Sequence, residues 1–507
     1  MVMPVAMEGD QVDHGNSLDL RALFKQFAHH ESIVVGKKRY TYSEWERILA
    51  AYLFTLESLN ISITETPQRV GLLAATSFEA LNVMVALLLL RATPVWLPTT
   101  LSSVRLDSLI KDGKLPLAIV DDKLLKAPLY SKNLMKLSKI VKKVSYLLGE
   151  SKSESAPFVV SAFKKSWKLP AEQEASIVFS SGSLGGTKGV VLTIENIIFS
   201  ALGSIDFYKM QAGDRFFASL PMHHVGGLMV PFRALLCGGC TIFYQRIDKV
   251  LAEERVDFLS LVPTQLIRLL DKERLLPRLK QIRAIIVGGG PLARFPWSYA
   301  KEKGIAISPS YGLSEMCAQV TALPPFSDSY SERSCGKALP YREFKITVDQ
   351  EILVRGRSLC HSYFIAGEEV PLPRDEEGWF HTGDLGEVSG DAGDEGSLHL
   401  LGRKDLNFVS GGENVNPLLI EAVLKEIPWV IDAVVVPAPH YEFGEVPIAF
   451  VEAARKLPLK KMLLYLKERL PLYMVPKNVI FLEEQNPFKN LKYNRKALTE
   501  YAKTINQ

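Results

Sequence analysis

Short apolar runs of strand length alternate with longer, helix-like runs through the first three hundred residues, and this alternation restricts the possible folds more than any other feature. Residues 69–76 have the pattern of a buried strand, and residues 77–90 that of a helix for which Ser77 is a candidate N-cap. Further strand patterns occur at 176–181 and 283–290. Strands that alternate with helices of this length form βαβ units, so the sequence predicts an α/β fold with a mostly parallel sheet.

The character of the chain changes twice after this region. Between about 334 and 400 the apolar runs are shorter and turn residues are frequent, which predicts antiparallel β structure. The last hundred residues have a small α+β pattern of their own. The sequence therefore predicts a large N-terminal domain over residues 1–402, with two α/β layers and a β-rich subdomain, followed by a small domain over residues 403–507.

The charge balance and the cysteines limit the partners and the compartment. The chain has 507 residues with 60 Lys and Arg against 56 Asp and Glu, and it lacks a basic stripe interleaved with aromatic residues, which argues against a nucleic-acid partner. Five scattered cysteines do not make a disulfide framework and favour a reducing cytoplasm. The longest apolar run, residues 81–90, is too short to span a bilayer. We expect a cytoplasmic protein, and the sequence leaves open whether it forms a homo-oligomer.

A glycine-rich segment follows the predicted strand at 176–181. Residues 180–189 are mostly glycines and hydroxyl-bearing residues, with one lysine. Glycines allow backbone N–H groups to approach a phosphate, hydroxyls add hydrogen-bond donors and a lysine adds charge. The Walker A pattern GxxxxGK[ST] does not fit, because Lys188 follows Thr187 rather than Gly. Composition alone leaves two interpretations open, a phosphate-binding loop and a flexible surface turn.

This segment resembles the phosphate loop of the adenylate-forming (acyl-activating) superfamily, which usually has the form [ST]SG[ST]TGxPKG. Leu184 stands where a Thr is usual, and Thr187 stands where a Pro is usual. The resemblance implies that the loop binds ATP. It gives nucleotide contacts to Ser181, Gly182, Ser183, Gly185, Thr187 and Lys188.

Two further segments resemble nucleotide-binding motifs of the same superfamily. YGLSE at 311–315 is similar to the YGxTE motif. The resemblance implies that Tyr311 stacks on adenine, that Gly312 and Ser314 lie against the nucleotide, and that Glu315 is catalytic and holds Mg²⁺. An aromatic face suits a purine, and a hard carboxylate suits Mg²⁺. Three glycines resemble the turn that lies against the nucleotide, with a plain tight turn as the alternative: Gly288, Gly289 and Gly290.

The remaining motifs of the superfamily occur in the expected order. TGD at 382–384 resembles a motif in which the carboxylate accepts the ribose hydroxyls, which implies that role for Asp384. GRKD at 402–405 resembles GRxD, which implies a ribose or phosphate contact for Arg403 and an interdomain hinge at Asp405. A surface ion pair and a turn residue are the respective alternatives. Lys492 lies in a segment similar to G-K-[IL]-x-R-x-x-L, with Leu491 in place of Gly, which implies that Lys492 is the catalytic lysine.

Segments between these motifs bear on the acid substrate. LPMHHVGG at 220–227 is similar to the LPLFHVSG run of the o-succinylbenzoate–CoA ligases, with His223 in the Phe position. That resemblance implies a catalytic and substrate-binding role for His224, for which a core histidine is the alternative, and a substrate contact for Thr264. Arg233 lies in an apolar run and needs a partner. The second carboxylate of o-succinylbenzoate would suit it, and a protein carboxylate is the alternative.

The resemblance as a whole implies an AMP-forming acid–CoA ligase that uses ATP, Mg²⁺ and CoA. A carboxylate would attack the α-phosphate of ATP to give an acyl-adenylate, and the thiol of CoA would attack this intermediate after the small, mobile C-terminal domain has rotated. The implied partners are small molecules, with o-succinylbenzoate of menaquinone biosynthesis as the expected acid. Two alternatives stay open: another aryl- or fatty-acyl–CoA ligase, and a nucleotide-binding protein without turnover.

Overall fold

The computed structural model describes most of the chain. The described residues are 17–58, 68–99, 103–121, 124, 134–150, 166–180, 188–244, 246–290, 292, 294–327, 334–390, 394–410, 413–440, 443–455, 458–483, 488 and 493–505.

Most strands of the described residues are short, and only three of them are longer than seven residues. They are β1 (Ser17–Asp19), β2 (Glu31–Val35), β3 (Lys38–Thr41), β4 (Arg69–Leu73), β5 (Thr93–Trp96), β6 (Leu117–Val120), β7 (Leu134–Lys136), β8 (Lys168–Pro170), β9 (Glu174–Ser180), β10 (Lys188–Thr193), β11 (Arg215–Phe217), β12 (Cys240–Phe243), β13 (Phe258–Leu261), β14 (Ala284–Val287), β15 (Ile307–Leu313), β16 (Ala318–Ala322), β17 (Lys337–Ala338), β18 (Arg342–Ile346), β19 (Glu351–Gly356), β20 (Ser362–Ile365), β21 (Glu368–Pro371), β22 (Phe380–Val388), β23 (Leu398–Arg403), β24 (Phe408–Ser410), β25 (Glu413–Val415), β26 (Val430–His440), β27 (Gly444–Ala453) and β28 (Asn478–Leu482).

Helices connect many of these strands. They are α1 (Leu20–Gln26), α2 (Tyr42–Glu57), α3 (Phe78–Leu89), α4 (Ser103–Asp112), α5 (Leu137–Glu150), α6 (Ile194–Tyr208), α7 (Val225–Cys237), α8 (Ile247–Glu253), α9 (Pro263–Leu270), α10 (Leu276–Leu279), α11 (Arg294–Glu302), α12 (Pro417–Lys425), α13 (Leu459–Lys467) and α14 (Arg495–Ile505). Short 3-10 turns occur at Glu273–Leu275, Ser314–Met316, Lys404–Leu406 and Leu472–Met474. In the described part of the chain, none of the helices is both long and apolar enough to cross a bilayer.

Two large sheets form the N-terminal part, and both are parallel in their centres. One has the strand order β21-β20-β10-β9-β5-β4-β6-β7, and the other has the order β17-β16-β15-β14-β13-β11-β12-β2-β3. The central pairs β4–β5, β4–β6, β13–β14 and β14–β15 are parallel, whereas β10 pairs antiparallel with β9 and β20. The predicted α/β class is therefore confirmed, with two α/β layers.

Helices buried against both sheets build the largest apolar core. Every residue of α3 except Glu79 is buried, and the Ser77 hydroxyl caps this helix by accepting a hydrogen bond from the Ala80 N–H at 3.2 Å. The same core joins Val178 of one sheet to Ile286 of the other. A helix that is apolar on all sides requires such burial on all sides, and the two layers provide it.

The β-rich segment and the C-terminal segment form sheets of their own. β18, β19, β22 and β23 make an antiparallel four-stranded sheet, as the sequence between about 334 and 400 predicts. In the C-terminal part, β25, β24, β27 and β26 follow one another and β28 pairs parallel with β27. Two apolar clusters of the C-terminal part bury residues such as Leu424 and Leu498 of its helices against this sheet. The small C-terminal α+β unit is therefore present as predicted.

Candidate active site

Three predicted nucleotide and substrate segments lie at the carboxyl ends of adjacent parallel strands. Thr264 is in the first turn of α9, directly after β13, and Gly288–Gly290 follow β14. Tyr311 is near the end of β15, which pairs with β14. Ligands of open α/β sheets bind at this edge, because loops from neighbouring strands converge there. The topology thus brings residues 264, 288–290 and 311–315 to one edge of one sheet.

The backbone near Tyr311 has a conformation that only glycine permits at position 312. The pairing of β15 with β16 shifts by one residue between Tyr311 and Gly312. A Cβ atom on Gly312 would lie 1.9 Å from the carbonyl oxygen of Ala318, which is a severe clash. Gly289 has φ of +81°, in the left-handed region that favours glycine. The close approach of Ala318 therefore requires glycine at position 312, and the backbone favours it at position 289.

Glu315 is held by a tyrosine that the sequence analysis did not select. The Tyr363 hydroxyl donates a hydrogen bond to Glu315 Oε1 at 3.0 Å. Lys188 Nζ lies 3.3 Å from the centroid of the Tyr363 ring. The two residues are close because Tyr363 on β20 pairs with Val190 on β10, two residues after Lys188. Burial lowers the pKa of Lys188, an effect that the nearby Glu315 carboxylate opposes. Lys188 and Glu315, which are 127 residues apart in sequence, thus share one site.

Asp384, Arg403 and Tyr311 form a second polar cluster. The Tyr311 hydroxyl donates to Asp384 Oδ2 at 2.8 Å, and Arg403 Nη1 donates to Asp384 Oδ1 at 2.9 Å. Asp384 and Arg403 face each other across β22 and β23. Burial raises the pKa of Tyr311 well above its ordinary value, and the adjacent Asp384 carboxylate adds a smaller rise. Asp384, the predicted ribose ligand, is therefore hydrogen-bonded both to Tyr311, the predicted adenine platform, and to Arg403, the predicted ribose or phosphate contact.

The residues of this site fit a magnesium ion that is bound together with phosphates. Glu315 is partly exposed and offers one carboxylate, and its second oxygen is not used by Tyr363. The described residues contain no cluster of three or more His, Cys, Asp or Glu side chains that would hold a metal by themselves. Mg²⁺ commonly takes one or two protein carboxylates and completes its shell with waters and substrate phosphates. A single carboxylate beside a phosphate loop is consistent with that mode of binding.

The two adjacent histidines have opposite environments. His224 is exposed at the N-cap of α7, so the alternative of a core histidine is wrong for this residue. His223 is buried, and its Nε2 atom has no hydrogen-bond partner in the described ranges. The centroids of the two rings are 4.4 Å apart. The chain turns into the helix at this point, which directs consecutive side chains to different sides. The sequence could not distinguish the two rings without this geometry.

Arg233 is a buried cation whose partner is neutral. Its side chain is 3% exposed in the middle of α7, and its Nη2 atom donates to the Gln319 side-chain oxygen at 3.1 Å. Its Nε atom is buried and has no hydrogen-bond partner among the described residues. Burial lowers the pKa of Arg233 to about 10. The alternative of a protein carboxylate as partner is wrong within the described residues, where Gln319 takes that place.

Some predicted site residues lie outside the described residues. They are Ser181, Gly182, Ser183, Gly185 and Thr187 of the phosphate loop, and the catalytic candidate Lys492. Lys188 is the first residue of β10, so the loop connects the two antiparallel strands β9 and β10. Asp405 belongs to the 3-10 turn Lys404–Leu406, directly after β23. The roles of these residues stay predictions.

We expect His223 to make the protein sensitive to acid. Burial, with a smaller contribution from His224, lowers the pKa of folded His223 from 6.5 to about 3. Between these pH values only the unfolded chain binds the proton, so the free energy of unfolding falls as the pH falls. From pH 7 to pH 5, His223 should lower the free energy of unfolding by about 2 kcal/mol, and His223→Phe should remove this contribution. Urea unfolding at both pH values measures it, with the exposed His224→Phe as control; an unchanged pH dependence in His223→Phe would contradict the expectation.

Comparisons with known proteins give a consistent result. Residues 20–364 match the family model described as AMP-binding enzyme, and residues 419–488 match the AMP-binding enzyme C-terminal domain. A 2-succinylbenzoate–CoA ligase of Listeria monocytogenes is 30% identical over 369 residues, which cover 72% of this chain and 76% of the relative. A 2-succinylbenzoate–CoA ligase of Bacillus cereus is 30% identical over 436 residues, which cover 83% of this chain and 85% of the relative.

Solved structures agree with the sequence comparisons. The o-succinylbenzoate coenzyme A synthetase of Bacillus subtilis, in complex with the acyl-adenylate intermediate, superposes with a TM-score of 0.78 at 25% identity. The similarity covers 94% of this chain and 97% of that chain. The relation thus extends over both the large and the small part of the chain.

Proposed function

This chain belongs to the AMP-binding enzyme family and is an AMP-forming acid–CoA ligase, and from that premise we propose that its acid substrate is 2-succinylbenzoate. The reaction joins the acid to CoA with ATP and releases AMP and pyrophosphate. The relatives named above are ligases for this acid. The product belongs to menaquinone biosynthesis, as the resemblance to these ligases implies.

The observation that carries the choice of acid is the buried Arg233. Its guanidinium has an amide partner, Gln319, and within the part of the chain that the structure describes its buried Nε–H has no partner. An unneutralised buried cation is costly unless a ligand supplies the charge. 2-Succinylbenzoate has two carboxylates: one is activated, and the other suits a guanidinium in bidentate geometry. A monocarboxylic fatty acid would leave Arg233 without a counter-charge.

We propose that one polar cluster binds the ribose of ATP and the other binds its phosphates together with Mg²⁺. Asp384 accepts the ribose hydroxyls while Arg403 and Tyr311 hold its carboxylate in place. Lys188 and the hydroxyl-rich loop before it bind the phosphates, and Glu315, oriented by Tyr363, holds the metal. When bound, Mg²⁺ neutralises charge on the phosphates of ATP during transfer. The acid carboxylate attacks the α-phosphate, where Lys492 stabilises the negative charge that accumulates.

We propose that the second half-reaction uses the same site after a domain rotation. The chain leaves β23 at Arg403, and the proposed hinge, Asp405, follows within the next turn. Arg403 stays paired with Asp384 of the large part. Rotation of the residues that follow Asp405 removes Lys492 and admits the CoA thiol, which attacks the acyl-adenylate and releases AMP. All five cysteines are unpaired thiols, which supports a reducing cytoplasm as the compartment.

The test of this function is a panel of acids. The purified chain is incubated with ATP, Mg²⁺ and CoA, and CoA thioester is measured with 2-succinylbenzoate, benzoate or a medium-chain fatty acid. We expect thioester with 2-succinylbenzoate and a kcat/KM at least 100-fold lower with the two monocarboxylic acids, because a site built for a polar group rejects a ligand that lacks it. Preference for another acid would refute the substrate and keep the ligase. ATP binding without ATP–pyrophosphate exchange for any acid would favour a binding protein without turnover.

A further inference from the structure

Glu452 of the C-terminal part is a buried carboxylate whose two oxygens are bound from different directions. It lies near the end of β27, and its side chain is 2% exposed. Oε1 accepts a hydrogen bond from Arg268 Nη2 at 2.9 Å, and Oε2 accepts one from the Tyr493 hydroxyl at 2.7 Å. Burying a carboxylate is costly unless it is paired and hydrogen-bonded, and both of these partners offset that cost.

The two partners of Glu452 lie in different parts of the chain, one on the helix that carries Thr264 and the other next to Lys492. Arg268 belongs to α9 of the large part, a helix anchored by its buried Leu266 and Leu269 and carrying Thr264 in its first turn. Tyr493 directly follows Lys492 in the chain. A continuous set of hydrogen bonds therefore runs from the helix beside the acyl site, through Glu452, to the neighbour of the catalytic candidate.

A second anchor holds the other side of the same segment, and it stays within the C-terminal part. Arg495 Nη2 lies 2.6 Å from Glu421 Oε1, and the same oxygen accepts the Val435 N–H at 2.7 Å. Glu421 and Val435 both belong to the C-terminal part, on α12 and β26. This anchor fixes the segment to its own unit, whereas the Glu452 bridge also fixes it to the large part. Rotation of the C-terminal part would preserve the contact between Arg495 and Glu421 and would separate Arg268 from Glu452.

We propose that Glu452 is a positioning residue that, with Arg268 and Tyr493, holds the C-terminal part in the orientation for acyl-adenylate formation. The proposal rests on the proposed function, because it assigns Lys492 to that half-reaction. The bridge is made in one orientation and broken in the other. It should therefore favour the first half-reaction and oppose the second, because stabilising one orientation lowers the population of the other.

The test compares the two half-reactions in variants of the full chain. Arg268→Gln and Glu452→Gln are each expected to lower the kcat of ATP–pyrophosphate exchange about tenfold, as a charge-assisted bridge is lost. Thioester formation from supplied acyl-adenylate should be as fast as in the parent or faster, because the other orientation becomes more populated. The double variant should be no slower than either single variant, because both remove the same bridge. Arg268→Lys should restore part of the exchange rate.

Matched controls separate this role from stability and from the choice of acid. Arg274→Gln removes an exposed arginine that lies 3.5 Å from Asp248 within the large part, and it should leave both half-reactions unchanged. Energy transfer between dyes on Lys280→Cys and Lys467→Cys, both exposed, reports the orientation of the two parts without any substrate. Arg268→Gln should shift the distribution of energy-transfer efficiencies. If the parent showed no ATP–pyrophosphate exchange with 2-succinylbenzoate, the proposed acid would be refuted and not the positioning role. Equal losses in both half-reactions, additive losses in the double variant or an unshifted distribution would overturn the positioning role.

Discussion

Lys492→Ala is expected to lower the rate of acyl-adenylate formation by roughly 100- to 1000-fold, which is the usual loss when one stabilising group is removed from a developing negative charge. The ammonium group acts only while the carboxylate attacks the α-phosphate. ATP–pyrophosphate exchange measures this half-reaction directly. Thioester formation from supplied acyl-adenylate should change less than threefold, because Lys492 has left the site by then.

A matched control for this variant is present in the same segment. Lys489 is three residues earlier, carries the same charge and lacks an arginine three positions later. Lys489→Ala should leave pyrophosphate exchange within twofold of the parent. Equal losses of both half-reactions in Lys492→Ala would mean that the residue supports the fold of the C-terminal part instead of the chemistry.

Arg233→Met is expected to raise the KM for 2-succinylbenzoate about 100-fold, because it removes one member of a buried, hydrogen-bonded charge pair and nearly keeps the side-chain volume. For a monocarboxylic aryl acid the KM should change less than threefold. Steady-state kinetics with both acids measures this difference in selectivity. Arg233→Lys should fall between the parent and Arg233→Met, since a lysine keeps the charge and loses the bidentate geometry.

A neighbouring arginine provides the control for stability. Arg342 is also buried, but its guanidinium donates to backbone carbonyl groups, including those of Phe199 and Ser200. Arg342→Met should lower the free energy of unfolding and affect both acids alike. An equal rise in KM for both acids in Arg233→Met would make Arg233 a structural residue of the same kind.

Local patterns in the sequence predicted helices and strands such as α3 and β14, and they predicted the order of the segments that form the site. Ser77 caps α3 as predicted, and the glycines after β14 lie where the apolar run predicts a turn. These features depend on residues a few positions apart, where side-chain periodicity and backbone preferences act directly. They identify which segments reach the site but not which side chains contact one another.

The contacts that orient the site residues could not be predicted, because they join distant parts of the chain. Tyr363 is 48 residues from Glu315, and Gln319 is 86 residues from Arg233. Arg268 and Glu452 are 184 residues apart. A tyrosine or a glutamine in a strand has no local pattern that announces a role, so only the folded arrangement identified Tyr363 and Gln319.

The pairing of Asp384 with Arg403 has a consequence for how ATP and the position of the C-terminal part affect each other. Asp384, the proposed ribose ligand, faces Arg403 across β22 and β23, and the chain enters the proposed hinge immediately after Arg403. Any nucleotide that binds the two orientations with different affinity must shift their populations by the ratio of those affinities. By linkage the orientation changes nucleotide affinity by the same factor. The affinity for AMP and the equilibrium between the two orientations then report one coupling free energy.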